Sequence, residues 1–108
     1  MISSCVSGAM QYINDNIASD ISLTQISEVL FVTKNHLCKQ FKKATDMTIN
    51  EYIKGRRISM AKKKLQFSDM SVSDIAQSCG FSNFSYFSKL FKNYEGLTPT
   101  QYREKYTK

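Results

Sequence analysis

Apolar residues recur at three- and four-residue steps along nearly the whole chain, the period of a helix buried on one side. Val6, Ala9, Met10, Ile13 and Ile17 predict a first helix over roughly residues 4–18, ended by "SDIS" at 19–22. Leu23, Ile26, Val29 and Leu30 predict the apolar face of a short second helix. Thr33 reads as the N-cap of a third, with Leu37, Phe41 and Ala44 inward. Asp46 suits a left-handed C-cap, and Thr48 with Glu51 has the capping-box spacing for a long fourth helix at about 49–66. Ile49, Tyr52 and Ile53 point to one side of that helix and Ile58, Ala61 and Leu65 to the opposite side, as expected of a strut serving two cores.

The plan then repeats. Ser71 and Asp74 open a short fifth helix with Val72, Ile75, Ala76 and Cys79 on its apolar face. Gly80 marks a turn, Ser82 reads as the cap of a sixth helix, and Phe87, Leu90, Phe91 and Tyr94 face inward. Gly96 ends that helix, and Thr98 with Pro99 opens a seventh carrying Tyr102 and Tyr106. Residues 26–43 and 75–93 match at a spacing of 50 through Leu37/Phe87, Lys39/Lys89, Phe41/Phe91 and Lys42/Lys92, with one more residue in the second turn. The expected fold is all-α: seven helices, with a short helix, tight turn and second helix used twice.

Charge and composition narrow the function. The 108 residues carry a net charge of +6, unevenly spread. Residues 1–33 hold Asp15, Asp20 and Glu28 and no basic residue, whereas residues 34–64 hold ten basic against two acidic residues. A positive middle suits a polyanion, although a solvated lysine-rich helix looks the same. Four glycines and one proline are too few for the many turns of a sandwich or barrel. Cys5, Cys38 and Cys79 form no CxxC pair and His36 is the single histidine, so no metal site is expected. No paired carboxylates, nucleophile–base pair or phosphate-binding loop is present, so neither an enzyme nor a cofactor is expected. Without an apolar run long enough to span a bilayer or a signal-peptide pattern, a cytoplasmic protein is expected.

A short helix, tight turn and second helix is the plan that lays its second helix in the major groove of DNA. Such a helix needs small or hydrogen-bonding groups opposite its apolar face, because bulky side chains would hold the backbone away from the bases. Ser85, Ser88 and Lys89 meet that need in the second copy, and Asn35, Cys38 and Lys39 occupy the matching face in the first. Thr33 and Ser82 stand where a helix N-terminus can receive a phosphate. Together with Lys34, Lys42, Asn83 and Lys92 they are the candidate phosphate contacts.

The stretch "SVSDIAQSCGFSNFSYFSKLFKNYEGLTPTQYR" at 71–103 resembles the signature of the AraC/XylS family of bacterial transcription regulators. "HLCKQFKK" and "EYIKGRRISMAKKKL" extend the resemblance over most of the chain, about residues 6–106. It implies a homeodomain-like, all-α fold with a first helix-turn-helix subdomain at 1–48, a linker helix at 49–66 and a second subdomain at 67–108. It also implies base contacts at Asn35, Cys38 and Lys39, and at Phe84, Ser85, Ser88 and Lys89. Phe84 shares a face with Phe87 and Phe91, so packing and contact with a thymine methyl both stand open. Three positions depart from the family's pattern: Phe31 replaces a small turn residue, Asp46 replaces a common glycine, and Cys38 stands where members more often carry a hydrogen-bonding side chain. The implied partners are double-stranded promoter DNA, RNA polymerase touched by an activator, and a sensing or receiver domain absent from this chain. The linker, about 17 helical residues or about 25 Å long, is expected to hold two reading helices about one DNA turn apart. A helical RNA-binding or protein-interaction domain using the basic strut is the competing expectation.

Overall fold

The computed structural model describes residues 4–106 and contains seven α-helices, with no strand among those residues. They are α1 (Ser4–Asp15), α2 (Leu23–Leu30), α3 (Lys34–Thr45), α4 (Ile49–Phe67), α5 (Val72–Ser78), α6 (Phe84–Glu95) and α7 (Pro99–Tyr106). Packing divides the chain into two units, Met1–Arg56 and Arg57–Lys108, so the boundary falls inside α4.

In the first unit α1, α2 and α3 pack pairwise, burying Val6, Ala9, Ile13, Ile26, Leu37 and Phe41 together with Ile49 and Ile53 from the start of α4. Gly8 lets α2 come close: a Cβ there would lie 2.7 Å from Leu30 Cδ2. In the second unit α6 packs on α5 and α7, and Ile58, Ala61 and Leu65 of α4 join Ile75, Cys79, Phe87, Phe91 and Tyr102 in the core. The expected change of buried side along α4 is therefore present. Arg103 closes the end of α4 by donating to the carbonyls of Leu65 and Ser68, at 3.1 and 3.2 Å.

The helix boundaries follow local chemistry. α1 stops at Asp15, short of the expected residue 18, because Asn16 Nδ2 donates to the Tyr12 carbonyl at 2.9 Å and the chain turns. α2 opens with a reciprocal capping box between Ser22 and Gln25, a pair the hydrophobic pattern did not reveal. Capping boxes also open α4, between Thr48 and Glu51, and α7, between Thr98 and Gln101.

Four expectations need correction. Val29 is 53% exposed, because the buried side of α2 is centred between Ile26 and Leu30 and takes in Ser27, whose hydroxyl donates to the Thr24 carbonyl. Ala44 and Tyr94 point toward the core side of α3 and α6 but are exposed, since the last turn of each helix projects past its core. The cap of α6 is Asn83 rather than Ser82: Asn83 Oδ1 accepts from the Tyr86 N–H at 2.9 Å. Asn83 is also the residue 50 positions beyond Thr33, which caps α3 in the same way.

The repeat reaches further than the sequence match. At a spacing of 50, Asp46 and Gly96 both end a helix in the left-handed region, and Thr48 and Thr98 both open a capping box. Tyr52 meets Phe41 edge-on at 5.4 Å, and Tyr102 meets Phe91 edge-on at the same distance. The turns agree as well. Phe31 (φ 58°) and Gly80 (φ 91°) both take left-handed backbone, and the next residue donates to the helix, Val32 to Ser27 and Phe81 to Ala76.

The first unit thus places Phe31 and Asp46 where the second uses glycine. Left-handed backbone is unfavourable for a side chain with a Cβ, by about 1–2 kcal/mol. The Phe31 side chain, 95% exposed, recovers none of this by burial. Replacing Phe31 with glycine should therefore stabilise the first unit by about 0.5–1 kcal/mol after the extra flexibility of the unfolded chain is counted. Urea unfolding of the two proteins checks it; a lower midpoint for Phe31→Gly would contradict the strain.

The box at Thr48 makes stability depend on pH. The Thr48 backbone N–H donates to Glu51 Oε1 at 2.8 Å, and this bond, followed by the Thr48 hydroxyl and then Lys42 and Lys54, holds the Glu51 carboxyl below its ordinary range. A lowered folded-state pKa means that the folded protein favours the carboxylate. The contribution is complete above the ordinary carboxylate pKa and is lost as pH falls through the lowered value. Thermal unfolding from about pH 6 to about pH 3 should show a smaller acid loss in Glu51→Gln than in the parent protein. Equal losses would remove Glu51 from the acid response.

Candidate nucleic-acid interface

Burial of one side of α3 and α6 decides what the other side presents. In α6, Phe87 and Phe91 are fully buried, and at 100° per residue Ser85, Ser88, Lys89 and Lys92 form the opposite stripe. In α3, Leu37 and Phe41 are fully buried, and Asn35, Cys38, Lys39 and Lys42 form the same stripe. All of these outward residues are exposed except Ser88, which is half-buried beside the core. Ser85 sits on the open side of α6 and Ser88 at the edge of that side, so small groups occupy the part of the helix that must come close to another molecule.

At the helix starts, Thr33 Oγ1 accepts from the His36 N–H at 3.1 Å while Asn83 plays that part in α6. The first amides of each helix remain directed outward from the cap, where the partial positive charge of the helix start favours an anion. Lys34 and Phe84 are the first residues of the two helices, so Lys34 adds its charge at that point in α3. Ser82 lies exposed one residue before the cap of α6. Lys42 reaches the end of its own helix, donating to the Asp46 carbonyl at 3.1 Å.

Sequence pattern alone did not single out His36 and Tyr86, which occupy matching exposed positions beside the stripe. Their signal was the spacing of 50, which pairs them across the two units. Phe84 is 46% exposed with its ring 6.2 Å from Phe87, so it neither enters the core nor stands clear of it.

The cysteines differ in setting. Cys79 is buried in the second core, and burial pushes its thiol pKa up, which keeps it neutral and unreactive. Cys38 is exposed on the outward stripe of α3. Among the described residues no group of three or more His, Cys, Asp or Glu side chains could hold a metal ion, and no helix is long and apolar enough to cross a membrane.

A family model described as a helix-turn-helix domain matches residues 26–105. The chain belongs to the AraC-type helix-turn-helix family. It is 39% identical over 101 residues to the HTH-type transcriptional activator AarP of Providencia stuartii, spanning 94% of this chain and 75% of that protein. It is 35% identical over 88 residues to the HTH-type transcriptional activator RhaR of Escherichia coli, spanning 82% of this chain but 31% of that one. Among solved structures, the C-terminal domain of AraT, a response regulator from Geobacillus stearothermophilus, superposes with a TM-score of 0.95 at 27% identity, covering 99% of this chain and 89% of that one. The chain carries the DNA-binding module of this family of transcription regulators, and α3 and α6 are the second helices of its two helix-turn-helix motifs.

Proposed function

We propose that the chain reads duplex DNA sequence with α3 and α6, each in its own major groove, the two grooves being successive on one side of the duplex. The observation that carries this reading is the duplicated turn. Phe31 and Gly80 set the same left-handed geometry, Thr33 and Asn83 cap the helices that follow, and each helix turns a polar stripe away from two buried side chains. Asn35, Cys38 and Lys39 contact bases from α3, and Ser85, Ser88 and Lys89 do so from α6, joined by Phe84. Thr33, Lys34, Lys42, Ser82, Asn83 and Lys92 hold the flanking phosphates. In this reading residues 1–48 and 67–108 are the two subdomains and 49–66 the linker. The names of AarP and RhaR support a role as an activator, which would bring RNA polymerase to the promoter in the cytoplasm. RhaR is about three times the length of the matched region, in keeping with a sensing domain attached to such a module. No enzymatic activity belongs to this reading.

In vitro selection of duplexes from a random pool by the purified chain tests it. Two short motifs about one helical turn apart are expected. Binding that falls steeply with salt and selects no motif would reduce the chain to a nonspecific basic module.

A further inference from the structure

The two reading helices share a backbone plan but not a chemistry. At a spacing of 50, Phe84 stands where α3 has Lys34, Ser85 where it has Asn35, Tyr86 where it has His36, and Ser88 where it has Cys38. The residues α3 exposes include four lysines and a histidine, and α3 contains no acidic residue. At the start of α6, by contrast, two aromatic side chains are each 46% exposed. Phe84 also borders an open cavity of about 320 Å³, lined with it by Ser73, Ala76, Gln77, Phe81 and Ser82. Phe81 is itself almost buried, its ring 4.9 Å from Phe87, so it adds an apolar side chain packed against the core to a lining that is otherwise largely polar.

We propose that this cavity is a thymine-reading site: α6 recognises the 5-methyl group and adjacent O4 of thymine, whereas α3 reads its half-site through cationic and amide donors. The inference rests on the DNA-reading role proposed above and adds the base class that the second half-site takes. Thymine is the base whose major-groove edge pairs a methyl group with an acceptor oxygen, while cytosine offers an amino donor and no methyl. Ala76 and Phe81 beside Phe84 offer the methyl apolar contact, and the Ser73 hydroxyl and Gln77 amide supply donors for O4, leaving Ser82 to its phosphate. Water is poorly bound against the exposed half of Phe84, so a methyl group that displaces it gains by burial. A lysine at the same place in α3 offers charge and a donor but no apolar surface for a methyl.

The test needs no change to the protein in its first arm. In a duplex carrying the selected site, each thymine is replaced in turn by deoxyuridine, which removes the methyl and keeps the pairing. Affinity is measured by fluorescence anisotropy at fixed salt. One or more positions in one half-site should lose about fourfold per methyl, the factor expected for burying one methyl-sized group. Phe84→Ala should lose a similar factor on the thymine duplex and nothing more on the deoxyuridine duplex, because the two changes remove the same contact. Lys34→Ala should leave the thymine-to-deoxyuridine ratio at those positions unchanged. A chain that selects a motif yet binds deoxyuridine duplexes as tightly as thymine ones overturns the thymine site and leaves the DNA-reading role standing. The same holds if Phe84→Ala keeps the full methyl effect. Loss of all sequence preference would overturn the DNA-reading role, and this inference with it.

Discussion

Phe91→Ala should destabilise the second unit by about 3–5 kcal/mol, the range for deleting a fully buried phenyl group. The ring is 0% exposed and touches two others, Phe87 at 5.8 Å and Tyr102 edge-on at 5.4 Å. Its loss opens a cavity where Phe91 of α6 meets Tyr102 of α7. Small domains have a total stability of only about 5–15 kcal/mol, so most of the margin of a unit this size would go. Phe91→Leu keeps most of the volume and should lose less than about 1.5 kcal/mol. Urea unfolding followed by circular dichroism gives the loss. Hydrogen exchange locates it, with amides of α5, α6 and α7 expected to lose protection before those of α1 and α2. An unchanged midpoint for Phe91→Ala would mean that the ring is not part of the second core.

The three residues that form this contact were visible in the sequence as members of two helical stripes, but their meeting was not. Spacing gives the side of a helix on which Phe91 and Tyr102 lie; it does not say that α7 returns to place Tyr102 against Phe91. Once the structure shows the pair, its counterpart Phe41–Tyr52 becomes apparent at the same spacing of 50, and so do the paired boxes at Thr48 and Thr98. The duplication was legible where both copies keep the same residue types, at Lys39/Lys89 and Phe41/Phe91. Asp46 was legible as a left-handed cap because its short polar side chain tolerates that backbone, whereas the left-handed turn at Phe31 was hidden, because backbone conformation leaves no mark in hydropathy.

The helix caps show the same limit. Ser82 and Asn83 are both good capping residues, and composition cannot choose between them. Geometry chooses Asn83, because the turn after Gly80 holds one residue more than the turn after Phe31, and the helix begins only after that residue has been spent. Exposure at Val29, Ala44 and Tyr94 was misread for a related reason. An apolar residue within a helical stripe is buried only where a neighbouring element covers that turn, and the ends of α3 and α6 are uncovered. The outward stripes were the most legible part of the candidate site, since they follow directly from which residues are buried.

The largest effect on DNA binding is expected from Lys89→Ala. Lys89 is exposed on the stripe opposite Phe87 and Phe91, one turn after Ser85 and next to Ser88. In the proposed reading those small neighbours would let the α6 backbone approach a groove closely, which would bring the Lys89 ammonium within reach of base edges rather than leaving it at the phosphates. Guanine offers two acceptors there, O6 and N7. Removing such a contact should weaken binding to the selected site by about 1–3 kcal/mol, roughly 5- to 150-fold, and relax preference at one base pair. Lys92→Ala, aimed at a phosphate, should instead weaken binding to every sequence alike and lower the slope of log affinity against log salt by about one. Affinity measured on the selected duplex and on single-base variants, at several salt concentrations, separates the two patterns. A uniform loss for Lys89→Ala would make it a second phosphate contact, and no loss at all would take α6's central lysine out of the interface.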